Sequence, residues 1–212
     1  MNLIFDLDGT LYKSEELYLA RDVEIFKMIS LKLDISLDEA RALLFSKKKE
    51  LKELGEPSNT LSTLKKLGIS SNEFFESLEK VSPRLFIKKD EKLTQLFSDL
   101  SKNHSIYIFT NSTFHSSKEI VTILGISLYV KEIFSAETIG FAKPSVDAFS
   151  YVLNRVNVSD ERNVMVGDSI EKDLKTAKAL GMQTIALSLK QENYPYVDYF
   201  ISDLNELLKI VN

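Results

Sequence analysis

The sequence contains no cysteine and only two histidines among its 212 residues. Without cysteine, the chain has no disulfide, no thiolate zinc site and no thiol nucleophile. Two histidines are also too few for a histidine-rich metal site. Any chemistry must therefore be carried by carboxylates, hydroxyls, amides and amines.

Basic residues are not in excess, because 27 Lys and Arg stand against 31 Asp and Glu and give a formal net charge of -4. Proteins that bind phosphate backbones gather basic residues, so nucleic acid is not an expected partner. No apolar run approaches the roughly 20 residues that span a bilayer. The first residues also lack the basic and apolar pattern of a signal peptide. We expect a globular protein in the cytoplasm with no membrane partner.

Short apolar runs typical of buried strands recur along the chain. They lie at residues 3–5, 106–109, 164–166, 184–187 and 199–201, and helical periodicity is found at residues 91–102, 117–124, 146–155 and 171–180. Strands separated by a helix and a loop are the pattern of a parallel sheet with crossover helices. We therefore predict an α/β fold, with a Rossmann-like parallel sheet and helices on both of its faces.

Residues 15–88 interrupt this pattern, because they contain no convincing strand. Apolar residues recur there at helical spacing over residues 17–33, 37–54 and 74–81, and a short helix is predicted to end near Gly68. The sequence thus predicts an α/β domain formed by residues 1–14 and 89–212, with a helical domain of residues 15–88 inserted after the first strand.

Two aspartates, Asp6 and Asp8, follow the first predicted strand in the segment IFDLDGTLYKS. Ligands of open parallel sheets bind beyond the carboxyl ends of the strands. Two carboxylates this close repel each other unless a cation or a proton separates their roles. Mg²⁺ is usually held by one or two carboxylates together with substrate phosphate. An isolated D-x-D segment is explained at least as well as a polar strand end.

Three further polar segments come later in the chain. Thr110 lies in IFTNS, Lys143 lies in FAKPS, and Asp168 and Asp173 lie in VMVGDSIEKD. Together with FDLDGTL, these segments match four ordered motifs, and the chain resembles the haloacid dehalogenase superfamily of aspartate-nucleophile phosphotransferases. The helical insert resembles the cap domain that this superfamily carries between its first and second motifs.

The resemblance implies a phosphatase that works through an aspartyl phosphate. Asp6 would be the nucleophile. Asp8 would protonate the leaving alkoxide and then deprotonate the attacking water. Mg²⁺ would be held by the carboxylates of Asp6 and Asp168 and by the backbone carbonyl of Asp8, while Asp173 would orient these ligands from outside.

The remaining motif residues would contact the phosphoryl group. Thr110 and Asn111 would donate hydrogen bonds to its oxygens, and Lys143 would add a compact positive charge beside the nucleophile. The resemblance therefore assigns catalytic roles to Thr110 and Lys143, and substrate binding to these two residues and Asn111.

Several chemistries within the superfamily stay open. Dehalogenases replace the second aspartate by a non-acid residue, since a halide needs no proton, so Asp8 favours phosphate esters. Sugar phosphomutases share both aspartates, but their caps normally present a histidine and a lysine soon after the first motif, and no histidine follows Lys13. A phosphatase is preferred. A mutase, or a silent relative that binds a phosphorylated ligand or a protein, is the alternative.

The cap segment LKELGEPSNTLSTL resembles a segment of pyrimidine 5'-nucleotidase-like members. This resemblance suggests a nucleoside 5'-monophosphate as the small phosphorylated metabolite, with Ser58, Asn59 and Thr60 in contact with it. A polar turn that caps the next helix explains the same three residues equally well. Tyr12, where the chain enters the cap, is predicted either to shape the substrate entrance or to pack at the hinge.

Overall fold

The computed structural model describes residues 1–156, 162–188 and 194–211. The chain forms two compact units. The core unit comprises Met1–Lys13 and Ile87–Asn212, and the cap unit comprises Ser14–Phe86. The domain predicted over residues 89–212 includes residues 157–161, 189–193 and 212, which lie outside the described part of the chain.

The cap unit is helical throughout. It contains α1 (Glu15–Leu33), α2 (Leu37–Glu53), α3 (Thr60–Lys66) and α4 (Ser71–Glu79), followed by a 3-10 turn at Pro83–Leu85. Each of the four α-helices begins after a polar residue whose side chain accepts a backbone N–H of the first turn. Such caps satisfy donors that have no partner within the helix. The predicted helices are all found, and the described cap residues contain no strand.

The core unit is built on an all-parallel sheet with the strand order β3-β2-β1-β4-β5-β6. Its strands are β1 (Asn2–Phe5), β2 (Ser105–Thr110), β3 (Val130–Ser135), β4 (Asn163–Gly167), β5 (Gln183–Leu187) and β6 (Tyr199–Ile201). The first strand lies in the middle, because Phe5 aligns with Ile108 of β2 on one side and with Val166 of β4 on the other. The predicted α/β fold with a parallel sheet is confirmed.

Helices connect the strands, as crossovers between parallel strands require. They are α5 (Glu91–Ser101), α6 (Phe114–Ile123), α7 (Ala136–Ile139), α8 (Val146–Val156), α9 (Lys175–Ala179) and α10 (Leu207–Val211). The helix predicted over residues 171–180 instead begins as a π-helical turn, Ile170–Leu174, that continues into α9. No helix of the described residues is both long enough and apolar enough to cross a membrane.

Three of these elements were not predicted, namely β3, α7 and α10. In β3, the charged residues Lys131 and Glu132 interrupt the apolar pattern, because this strand forms one edge of the sheet and is only partly buried over most of its length. Helix α7 is a single turn that ends at Gly140 in a left-handed conformation. Elements this short and polar carry little periodic signal.

Aromatic packing fixes the sheet beneath the polar edge described below. The rings of Phe109 on β2 and Phe149 on α8 meet edge to face with their centroids 5.0 Å apart. Phe5 on β1 packs against Phe97 of α5 at 5.1 Å. All four side chains are buried. The ends of β1 and β2 are therefore anchored on rigid, well-packed strands.

Candidate active site

The carboxyl ends of three neighbouring strands carry polar side chains. Asp6 and Asp8 follow β1, Thr110 is the last residue of β2, and Asp168 follows β4. Since these strands are adjacent and parallel, the side chains converge at one edge of the sheet. Segments far apart in sequence thereby form a single cluster.

Lys143 reaches this cluster from the loop between α7 and α8. Its Nζ atom donates hydrogen bonds to Oδ1 of Asp6 at 2.6 Å and to Oδ1 of Asp173 at 2.7 Å. The lysine is 2% exposed, and the ring centroid of Phe109 lies 5.1 Å from its Nζ. Burial acts against the charged form, but the carboxylates of Asp173 and Asp6 raise the pKa of Lys143. The lysine is therefore a cation at neutral pH.

The aspartates hold more negative charge than Lys143 can balance. Burial raises the pKa of Asp6 to about 7; Lys143 opposes this rise, and the neighbouring carboxylate of Asp173 adds to it. Burial, followed by the charge of Asp173, also raises the pKa of Asp168. A further cation at this position would favour the ionised forms of both aspartates.

The donor atoms fit a small, hard cation. Carboxylate oxygens of Asp6, Asp168 and Asp173 lie within 4.8 Å of one another. Asp173 already accepts from Lys143 through Oδ1 and from the backbone N–H of Ser169 through Oδ2, the latter at 3.1 Å. Asp6 and Asp168 are thus the better candidates for direct ligands, and an all-oxygen set of this kind suits Mg²⁺.

Thr10 joins the two candidate ligands and was not singled out by the sequence. Its hydroxyl lies 3.2 Å from Oδ2 of Asp6 and 3.4 Å from Oδ1 of Asp168, and it accepts the backbone N–H of Asp168 at 3.1 Å. The sequence signal for Thr10 was its hydroxyl, which lies in the same loop as the carboxylates of Asp6 and Asp8.

Asp8 is held by two hydroxyl groups. Tyr12 donates to its Oδ1 through the phenolic O–H, and Thr110 donates to its Oδ2 at 3.3 Å. The Thr110 hydroxyl in turn accepts the backbone N–H of Ser112 at 3.1 Å. Tyr12, whose role the sequence left open, is therefore a buried partner of Asp8.

The side-chain amide of Asn111 makes hydrogen bonds to the main chain of Lys143. Its Nδ2 donates to the backbone carbonyl of Lys143 at 2.9 Å, and its Oδ1 accepts the backbone N–H of the same lysine at 2.7 Å. No local sequence signal predicts this contact, because the partners are far apart in the chain and one of them is main chain.

Comparison with known proteins decides the family. The sequence pattern of the haloacid dehalogenase-like hydrolase family matches residues 3–187. The chain belongs to this family. A glyceraldehyde 3-phosphate phosphatase of Methanocaldococcus jannaschii is 30% identical to it, over 99% of this chain and 96% of that protein.

Solved structures of this family share the fold. A phosphatase of the family from Thermococcus onnurineus superimposes with a TM-score of 0.69 at 24% identity, covering 100% of this chain and 97% of that one. The hydrolase YfnB of Bacillus subtilis, solved with bound magnesium, superimposes with a TM-score of 0.63 at 24% identity. The match covers 100% of this chain and 98% of that one. The sequence-based prediction of a haloacid dehalogenase-like hydrolase of the phosphatase class is confirmed.

The cap residues proposed from the sequence lie at the start of α3 in this family member. Asn59 is the N-cap of α3, because its Oδ1 accepts the backbone N–H of Ser62 at 2.9 Å. The hydroxyl of Thr60 accepts a hydrogen bond from Lys48 at 2.8 Å. Ser58 precedes the cap residue. The capping interpretation thus accounts for Asn59, and substrate contact by these residues stays a prediction.

Proposed function

We propose that this protein is a Mg²⁺-dependent phosphomonoesterase that hydrolyses a small phosphorylated metabolite through an aspartyl phosphate on Asp6. The observation that carries the proposal is the buried contact between Asp6 and Lys143 at the carboxyl end of β1, with Asp8 in the same loop. A carboxylate fixed beside a cation, with a second acid two residues away, provides a nucleophile and a proton donor together.

In the first step, a carboxylate oxygen of Asp6 attacks the phosphorus atom. The bond between phosphorus and the leaving oxygen breaks, and Asp8 gives its proton to that oxygen. Contacts with Lys143 and Thr10 fix the orientation of the Asp6 carboxylate before the attack. Because the carboxylate is already oriented, less entropy is lost in reaching the transition state.

In the second step, water attacks the phosphorus of the aspartyl phosphate. Asp8 takes the proton from this water, the bond between phosphorus and Asp6 breaks, and inorganic phosphate leaves. The hydroxyls of Tyr12 and Thr110 hold Asp8 in place for both proton transfers. Asp8 thus acts as an acid and then as a base.

Mg²⁺ would be held by the carboxylates of Asp6 and Asp168 and by the backbone carbonyl of Asp8. Asp173 would orient these ligands. The ion supplies positive charge that neutralises the carboxylates and the phosphoryl oxygens. The oxygen donor set and the magnesium bound by YfnB support this assignment. Lys143, Thr110 and the backbone at Asn111 would bind the phosphoryl oxygens.

The proposal extends to the substrate and to the cap. A three-carbon phosphate ester is our first candidate, because the M. jannaschii relative that matches nearly the whole chain is named for glyceraldehyde 3-phosphate. A nucleoside 5'-monophosphate, suggested by the cap segment, is the second. We propose that the cap unit, including Ser58, Asn59 and Thr60, sets this choice, and that the enzyme works in the cytoplasm.

The test is phosphate release from a panel of glyceraldehyde 3-phosphate, phosphoglycolate, sugar phosphates and pyrimidine nucleoside monophosphates. Each substrate is assayed with Mg²⁺ and with a chelator, and Asp6→Asn serves as the blank. We expect Mg²⁺-dependent hydrolysis that the blank lacks, with the three-carbon ester preferred. Asp8→Asn lacks both the acid of the first step and the base of the second. With an aryl phosphate, whose leaving group needs no proton, a phosphorylated peptide that contains Asp6 should therefore accumulate in this variant.

Three results would contradict the proposal. Full activity in Asp6→Asn would exclude the aspartyl phosphate. Transfer of phosphate between sugar positions without release would identify a mutase. Binding of phosphate esters without turnover would identify a silent relative.

A further inference from the structure

We propose that Asn111 and Thr176 are positioning residues that clamp the segment Lys143–Pro144 from two sides and hold the lysine ammonium against Asp6. Neither side chain is assigned this role by the four motifs. Thr176 lies outside them altogether, on α9. The inference builds on the proposed function, in which Lys143 acts on the phosphoryl group.

One side of the clamp comes from the end of β2. The amide of Asn111 makes two hydrogen bonds to the main chain of Lys143, one as donor at 2.9 Å and one as acceptor at 2.7 Å. A two-point contact of this kind fixes both the distance and the orientation of the peptide group it binds. The amide of Asn111 therefore determines where the Lys143 backbone lies relative to β2.

The other side comes from the helix that follows β4. The hydroxyl of Thr176 donates to the carbonyl oxygen of Pro144 at 2.8 Å. Asp173, one turn earlier, binds the ammonium of Lys143 at 2.7 Å. The same helical segment thus holds the lysine at its charged end and the next residue at its backbone.

These two side chains satisfy every main-chain polar group of the Lys143–Pro144 pair. Proline has no N–H, so the pair has only one N–H and two carbonyl oxygens. The N–H and the first carbonyl bind Asn111, and the second carbonyl binds Thr176. Because the pair lies between α7 and α8, outside any helix or strand, regular secondary structure gives it no other support.

The position of the backbone matters because a lysine side chain is long and flexible. Four methylene groups separate its ammonium from the main chain, and burying such a side chain costs rotamer entropy. A small displacement at the base therefore shifts the ammonium away from Asp6. Misplacement of a catalytic group by about 1 Å costs roughly a hundredfold in rate.

The kinetic test uses Thr176→Val, which removes the hydroxyl at nearly constant shape, and Asn111→Ala. Each should lower kcat by about tenfold or more, since the ammonium of Lys143 would no longer be held against Asp6. Thr176→Ser keeps the hydroxyl and should recover most of the activity. A rise in KM alone for Asn111→Ala would show that this side chain binds the substrate directly, and would overturn its positioning role.

Matched controls come from equivalent contacts elsewhere in the core unit. The hydroxyl of Thr94 donates to the carbonyl of Leu124 at 3.1 Å, so Thr94→Val removes a similar long-range bond. Asn2, at the amino end of β1, donates to Val156 and Asn163, so Asn2→Ala removes a buried amide. Both controls should keep kcat near the wild-type value while lowering stability.

A second measurement does not depend on turnover. Lysines are acetylated with a limiting dose of reagent, and the rate at Lys143 is followed by mass spectrometry. We expect several-fold faster labelling of Lys143 in Thr176→Val and Asn111→Ala than in wild type, with Thr94→Val and Asn2→Ala unchanged. Unchanged labelling in the two clamp variants would overturn the inference even if activity fell. Faster labelling in a protein without phosphatase activity would refute the proposed function and leave the clamp standing.

Discussion

The ammonium of Lys143 lies 2.6 Å from Oδ1 of Asp6, and both side chains are almost completely removed from solvent. A buried charge without its partner is costly, because the protein interior solvates ions poorly. The contact therefore links the stability of the core unit to the group that is proposed to perform catalysis.

Lys143→Met should destabilise the protein by about 3–5 kcal/mol, since Asp6 and Asp173 would be left without their cation. Denaturant unfolding in the absence of divalent metal measures this loss. Addition of Asp6→Asn to the same chain should recover part of it. As a control, Lys178→Met breaks a partly exposed pair with Asp198 and should cost about 1 kcal/mol or less. Equal losses in the two lysine variants would contradict the prediction.

Mg²⁺ should stabilise the folded protein, because it binds a site that the unfolded chain lacks. At a concentration of a hundred times Kd, the gain is about 2.7 kcal/mol. The measurement is the thermal midpoint with increasing Mg²⁺ for wild type and Asp168→Asn. We expect a rising midpoint in wild type and little change in the variant. An identical rise in both would remove Asp168 from the set of ligands.

Gly9→Ala should abolish activity and weaken Mg²⁺ binding. Gly9 has a φ of 95°, and a Cβ atom there would lie 2.6 Å from Oδ2 of Asp168. Gly140→Ala is the matched control, because its φ of 80° is equally left-handed but nothing lies within 4 Å of the added atom. Both variants carry backbone strain of about 1–2 kcal/mol. Only Gly9→Ala should lose Mg²⁺-dependent stabilisation; equal behaviour would show that strain alone matters.

Asn59→Ala should lower the stability of the cap unit, because Asn59 is the N-cap of α3, and should also change the ranking of substrates, because Asn59 is proposed to contact the substrate. Loss of an N-cap side chain costs about 1 kcal/mol. The checks are urea unfolding and the ratio of kcat/KM between glyceraldehyde 3-phosphate and a pyrimidine monophosphate. Lower stability with an unchanged ratio would leave Asn59 with the capping role alone and would contradict the proposed substrate contact.

The stability of the cap unit should depend on pH through Glu73. The hydrogen bond from Lys32, followed by those from Ser70, lowers the pKa of Glu73 to about 2 from an ordinary value of 4.5. A depressed carboxyl pKa contributes stability above the unfolded value and loses it as pH falls through the folded one. Glu73→Gln should therefore lower the thermal midpoint at pH 7, and its difference from wild type should vanish between pH 4.5 and 2.

Glu76→Gln, an exposed substitution on the same helix, serves as the control for this pH dependence. It should track wild type at every pH. A pH-independent difference for Glu73→Gln would assign the effect to the capping geometry of Ser70 and Glu73 rather than to charge.

The sequence predicted most of the fold because its elements carry strong local signals. All five predicted strands are found, and four of them, β1, β2, β4 and β5, are buried at most or all of their positions. In the cap helices, apolar residues recur at clear helical spacing. The edge strand β3 escaped prediction for a physical reason. An edge strand exposes one side, tolerates Lys131 and Glu132, and so lacks the continuous apolar run of a central strand.

The predicted site residues share a local signature, since each acid follows a strand or lies one turn beyond it. The contacts of Thr10, Asn111 and Thr176 have no such signature. Each of these side chains makes a hydrogen bond to a backbone group far away in the chain. Side-chain types in a sequence do not reveal bonds to a distant main chain, so only the folded structure shows these contacts.

The strand order has a consequence for how the enzyme comes into being. The strand that leads to Asp6 is made before the other strands of the sheet, and its neighbours β2 and β4 follow the inserted helical unit in the chain. During synthesis, the helices of the inserted unit are therefore made before any strand that can pair with β1. An incomplete chain that stops before β4 carries Asp6, the proposed nucleophile, but lacks Asp168 and Asp173. The proposed catalytic site is complete only after Asp173 has been added, so a shorter nascent fragment should be inactive.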